Sequence, residues 1–172
     1  ETLNDDHNWS LMRIRQELGI REHGRFMPCI PMIDEKGESA MTDDGKIIAH
    51  FTYTLGQGRK GLPEILCFYP STSIGHGIND LCDKMEAEAL ESDKSGVYRV
   101  KGCFEADPEL EFILIQLEGS ERELASEKYA CQCEDYEPLF LAVAPYPDGS
   151  FCLQYIPKEY MHLVSVCDGS KR

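Results

Sequence analysis

Basic residues are scarce in this chain: across 172 residues, 17 Lys and Arg face 31 Asp and Glu, for a formal net charge of −14. Such a surface repels phosphate backbones and anionic lipid headgroups, which argues against direct binding to nucleic acid or membrane. Long apolar runs are missing too, so there is no candidate transmembrane helix. The first residues lack the charged-then-apolar pattern of a signal peptide. No CxxC pair occurs among the eight cysteines, at positions 29, 67, 82, 103, 131, 133, 152 and 167. Cys131-x-Cys133 has no second Cys or His pair at zinc-ribbon spacing, so no metal and no other cofactor is expected. Several of the cysteines sit in apolar strand or helix patterns, where a reduced thiol is a small buried hydrophobe. A chain of this size needs no disulfide staples, and a cytoplasmic setting is expected. Walker loop, HExxH, nucleophile elbow and paired-carboxylate signatures are all absent, as are internal repeats and low-complexity segments.

What is present fits one globular domain over residues 1–172, with 42% hydrophobic residues and enough length to bury roughly 70% of the unfolded surface. The charge is unevenly spread: residues 1–61 carry 8 basic and 10 acidic side chains, residues 62–172 carry 9 and 21. Either the acidic half serves solubility, or it presents carboxylates to a basic protein partner, as a DNA-mimicking inhibitor does.

Leu11, Ile14 and Leu18 fall on one stripe of a helix that Asn8 can cap and Gly19 can stop, so residues 1–19 are expected to hold an N-terminal helix. Phe26 to Ile33 reads as a strand that Pro28 and Pro31 push to a sheet edge. Residues 34–46 are polar and turn-rich, an exposed insertion between antiparallel strands. Strands are expected at Ile47–Leu55 and again after Pro63. Ile74, Ile78, Leu81, Cys82, Met85 and Ala89 then form the apolar face of a helix over about 74–90, and Asp83, Glu86, Glu88 and Glu91 form its solvated face. Further strands are expected at Val97–Phe104, Glu111–Leu117, Leu139–Ala144 and Phe151–Ile156, the last pair joined by a Pro147-Asp148-Gly149 hairpin. Ser120-x-x-Glu123 reads as a capping box opening a helix to about Ala130, and Pro157 opens a short final one. The pattern gives an α+β domain with a mostly antiparallel sheet of about six strands and three to four helices packed on it.

The stretch that organises the chain is 51–69: an aromatic, β-branched strand, a loop with three glycines, a Pro63-Glu64 step and a second apolar strand. Gly56-x-Gly58-x-x-Gly61 matches the dinucleotide fingerprint as a string, but a strand follows it where that fingerprint needs a helix. What survives is a nest of glycine amides beside Arg59 and Lys60, a place for a phosphate or carboxylate. Thr54, Gly56, Gly58, Arg59, Lys60 and Gly61 are therefore the candidate ligand-binding residues. His23, Tyr53 and Glu64 are the candidate acid–base set, provided they meet within hydrogen-bonding distance. Ordinary structural roles stand beside each: a flexible hairpin loop, a satisfied His, a half-buried Tyr and a Glu capping a loop amide.

Four places resemble the bacterial domain-of-unknown-function family numbered 4262. They are Ile20-x-x-His23-Gly24, the hallmark Phe51-Thr-Tyr-Thr-Leu-Gly56 with Gly61-Leu-Pro-Glu64-Ile, Asn79-Asp-Leu81, and Pro147-Asp148-Gly149. Together they frame residues 20–155 as a family-like core. The chain resembles a divergent member, departing in the 34–46 insertion, in Gly58, and in having no Trp beside the Pro-Asp turn. The resemblance implies a place for a site and no chemistry. Three functions therefore stand as expectations. In order, they are binding of an anionic nucleotide or phosphorylated metabolite at 56–61, docking of an acidic face formed by helix 74–90 and the 105–123 region on a basic partner, and acid–base catalysis by His23, Tyr53 and Glu64.

Overall fold

Ile65-Leu-Cys-Phe68 and Leu139-Phe-Leu-Ala-Val143 are apolar without alternation, the pattern of strands covered on both faces. They form the middle of the sheet in the computed structural model, which describes residues 2–32, 50–88, 90, 96–129, 138–165 and 167. In chain order come α1 (Thr2–His23), β1 (Cys29–Pro31), β2 (His50–Tyr53), a 3-10 turn (Gln57–Lys60), β3 (Glu64–Tyr69) and α2 (Ile74–Ala87). They are followed by β4 (Tyr98–Lys101), β5 (Glu111–Gln116), α3 (Gly119–Lys128), β6 (Leu139–Val143) and a 3-10 helix (Lys158–Val164). One six-stranded sheet runs in the order β1-β2-β3-β6-β5-β4.

The fold is α+β, and four of the five strand pairings are antiparallel. The central pairing of β3 with β6 is parallel, Glu64 standing opposite Leu139 and Cys67 opposite Ala142. The sheet is thus mixed. Parallel neighbours need a long crossover, and here α2, β4, β5 and α3 all lie between the two strands. Helices cover both faces. On one, Ile74, Ile78, Leu81 and Met85 of α2 meet Ile65, Phe112, Leu114 and Phe140. On the other, Leu66, Phe68, Leu139 and Leu141 meet Tyr129 at the end of α3 and Tyr160 of the last 3-10 helix.

β1 is an edge strand, where Pro31 costs no ladder hydrogen bond on the open side. Several expectations need correction. α1 does not stop at Gly19. A Cβ at Gly19 would lie 2.9 Å from the Phe26 ring, so this glycine serves a close approach inside the helix. The helix ends at Gly24 instead, whose φ of 83° and N–H donation to Ile20 O at 2.8 Å give the left-handed stop. The stripe on α1 is not packed on the sheet: Leu11, Ile14 and Leu18 are 46%, 54% and 55% exposed. Ser120 does not form a capping box. The N-cap is Glu118, and the Ser120 hydroxyl donates to Glu121 instead. Phe151–Ile156 is no strand, because after a single bridge from Phe151 to Pro145 the chain turns away. The tight turn before it is present, with Tyr146 N–H donating to Ser150 O at 2.7 Å and Gly149 at φ 88°. The 34–46 insertion, residues 47–49, Ala89, Glu91, Ala130 and the Cys131/Cys133 pair lie outside the described residues.

Leu81 is fully buried between α2 and the sheet. Leu81→Ala is expected to cost about 2–5 kcal/mol in urea unfolding. A loss below about half a kcal/mol would contradict this packing.

Candidate functional site

Gly24 turns the chain out of α1, and Phe26 then pairs with Leu55 through N–H···O bonds of 2.9 and 2.8 Å. Arg25, caught between these two fixtures, is driven inward and is only 8% exposed. A buried guanidinium must have acceptors, and it has three. Nε donates to Gln57 Oε1 at 2.9 Å, Nη1 to Asn79 Oδ1 at 3.1 Å and Nη2 to Asp83 Oδ1 at 2.8 Å. Asn79 and Asp83 are four residues apart on α2 and so share one face. Gln57 opens the 3-10 turn. One side chain therefore joins the end of α1, the central loop and α2.

A second set of bonds fixes the loop from below. The hydroxyl of Thr54 donates to Glu64 Oε1 at 2.7 Å and accepts the Ile65 N–H at 2.9 Å. The other oxygen of Glu64 accepts the Gly58 N–H at 3.3 Å. Both Thr54 and Glu64 are buried. Gly56 and Gly61 bound the turn at φ 95° and 73°, and a Cβ on Gly56 would lie 2.8 Å from Ile20. The loop is a closed turn rather than a flexible hairpin loop.

The candidate ligand residues are thus already engaged. Arg59 forms a two-pronged ion pair with Glu17 of α1, and its hydrogen bonds hold that carboxylate below its ordinary range. Lys60 reaches Glu86 of α2 at 3.5 Å, its ammonium lying against the backbone of Gly24. The carboxylate of Glu64 engages one of the loop amides expected to face an external anion, that of Gly58. The acid–base set falls into three settings. His23 is 72% exposed beside Glu22, Tyr53 belongs to the apolar cluster beside Phe51, and Glu64 is turned to Thr54 and Gly58. The outer face of α2 is less free than its acidic sequence suggests, since Asp83 and Glu86 neutralise Arg25 and Lys60.

Next to this network in the chain, Pro63 lines a cleft of about 200 Å³. Its floor is Met85, Leu114 and Phe140, all buried, its walls are Leu90 and Tyr98, half-buried, and Glu88 stands exposed at the rim. The Tyr98 and Phe140 rings meet edge to face at 5.4 Å. The Pro63-Glu64 step separates the two features, one residue lining the cleft and the next closing the loop.

Among the described residues, no cluster of His, Cys, Asp and Glu could hold a metal ion, and no helix is long and apolar enough to cross a membrane. Burial raises the Cys82 thiol to about 12, Arg25 pulling against it and Glu64 adding to it. Burial likewise raises Cys67, beside Cys152 and Cys29. The chain matches no protein-family model, no curated protein and no solved structure.

Arg25→Ala strands the fully buried Gln57 and removes the charge partner of Asp83, and is expected to cost about 2–4 kcal/mol. Arg25→Lys should restore little, because a single ammonium cannot reproduce three donors held in one plane. Equilibrium unfolding of both variants checks this; full rescue by Lys would contradict the geometry. Native Cys67 and Cys82 should stay unlabelled by a thiol reagent at pH 8, where a thiol with a pKa near 12 is about one part in ten thousand thiolate. Mass spectrometry showing rapid labelling at either would refute their inertness.

Proposed function

We propose that this chain is a small-molecule-binding domain whose ligand lies in the cleft between the end of α2 and Tyr98 of β4, Leu114 of β5 and Phe140 of β6. The observation that carries this reading is the cleft itself: a concave space of about 200 Å³ whose described lining is apolar except for Glu88 and the Tyr98 phenol. A mostly apolar concavity with a few polar groups is the usual form of a ligand site. Its volume suits one ring with a short substituent, since an apolar cavity of about 150 Å³ accepts benzene.

The other readings have less support. An anion at 56–61 has to displace Glu17 from Arg59 and Glu86 from Lys60, and competes with Glu64 for the Gly58 amide. A basic protein docking on α2 and the 105–123 region meets carboxylates partly committed to Arg25, Lys60, Arg99 and Lys101. Acid–base catalysis by His23, Tyr53 and Glu64 requires three side chains from different settings. The cleft keeps a link with the central stretch through Pro63 alone.

A thermal-shift screen of one-ring fragments is expected to yield binders, since a ligand at ten times its Kd adds about 1.4 kcal/mol. Leu90→Trp fills the cleft from its half-buried wall and should abolish these shifts while leaving the ligand-free protein folded. Fragments that stabilise Leu90→Trp equally, or inorganic phosphate that stabilises the protein through Arg59 and Lys60 instead, would contradict the proposal.

A further inference from the structure

The cleft's ligand has a sign of charge. Resting on the reading of the cleft as the binding site, we infer that it takes an organic cation: an ammonium group carried on a ring or branched aliphatic body. Four features of the cleft and its surroundings lead there.

The first is Glu88, among the described lining residues the only ionisable side chain apart from the Tyr98 phenol, exposed at the rim where it can meet a charge without being buried itself. The second is the end of α2. The helix finishes at Ala87, and Met85 in its last turn and Glu88 at its C-cap both line the cleft. The carbonyl end of a 14-residue helix therefore stands at the rim, and that end carries partial negative charge. The third is the pair of rings, Tyr98 and Phe140, whose π-faces attract cations and not anions. The fourth is what stays out. Lys84, the basic residue of the same last turn, extends to Gly102 beyond the far end of β4, where a Cβ would lie 3.0 Å from its ammonium. Lys60 is held by Glu86 and Arg99 by Glu111 at 3.0 Å. No described cation of the protein thus fills the role that the rim offers. The surplus of acidic groups over the chain as a whole adds long-range attraction for a cation and repels an anionic analogue.

The apolar floor sets the other half of the specificity. Met85, Leu114 and Phe140 offer no hydrogen bond to a deeply placed polar group, so the body of the ligand is hydrocarbon and its charge stays at the mouth. This is the same division seen in long basic side chains that lay their stems on apolar surface and keep their heads in water.

The test uses three probes of one shape: benzylamine, benzyl alcohol and benzoate, titrated into the whole chain at pH 7 and low salt. Met85 and Leu114 methyl resonances report the cleft. Benzylamine is expected to bind at least about fivefold more tightly than benzyl alcohol, and benzoate more weakly than either. Glu88→Gln should erase most of the amine's advantage while leaving the alcohol's affinity unchanged. If benzyl alcohol shifts the cleft methyls and binds as well as benzylamine, or if Glu88→Gln leaves the amine's advantage intact, the cation inference is overturned and the cleft remains a binding site. If no probe shifts Met85 or Leu114, the cleft reading itself falls.

Discussion

A single buried guanidinium sets the geometry of this end of the molecule. Removing Arg25 from water is costly, and the cost is offset only if its donors all find acceptors. The three acceptors come from the loop and from two positions on α2, so the loop and helix cannot move apart without exposing the charge or stranding it. One feature of the arrangement is unfavourable: with Oε1 of Gln57 turned to Arg25, the buried Nε2 has no hydrogen-bond partner among the described residues. A neutral amide left unpaired costs about 1–3 kcal/mol, and leaving the guanidinium unpaired would cost more. The amide orientation follows from that inequality.

The same constraint explains why the central stretch behaves as a strut. Gly56 is pinned against Ile20, the Gly58 amide is bound by Glu64, and both exposed cations are tied to carboxylates on α1 and α2. A loop anchored at so many points presents little to a diffusing ligand. The groups around it are paired with one another. At Pro63 the loop meets the cleft, and the closed turn is what keeps that lining residue in place.

The parts of this arrangement that follow from local periodicity were legible in the sequence. The stripe Ile74, Ile78, Leu81, Met85 read as one face of α2, and Pro28 and Pro31 marked an edge strand, because each signal lies within a few residues. Pairing over long distance was not legible: nothing near Ile65 announces that Leu139–Val143 will lie parallel beside it. Gly19 read as a helix stop because its reason for being glycine, the Phe26 ring, is supplied from outside the helix. The glycines and the Arg-Lys pair located the loop correctly but described only its donors. The carboxylates that engage them, Glu17, Glu64 and Glu86, come from elsewhere in the chain. Arg25 itself, a lone basic residue after a glycine, carries no pattern at all, and only the burial forced by the Phe26–Leu55 bridge reveals it.

The loop is a fixed part of the core rather than a mobile binding loop, and native-state hydrogen exchange measures this directly. The Gly58, Leu62 and Ile65 amides, bonded to Glu64 Oε2, Gln57 O and Thr54 Oγ1, are predicted to exchange only through openings nearly as costly as those of β3 and β6. Exchange of Gly58 and Leu62 within about tenfold of free-peptide rates, while the strands stay protected, would contradict it.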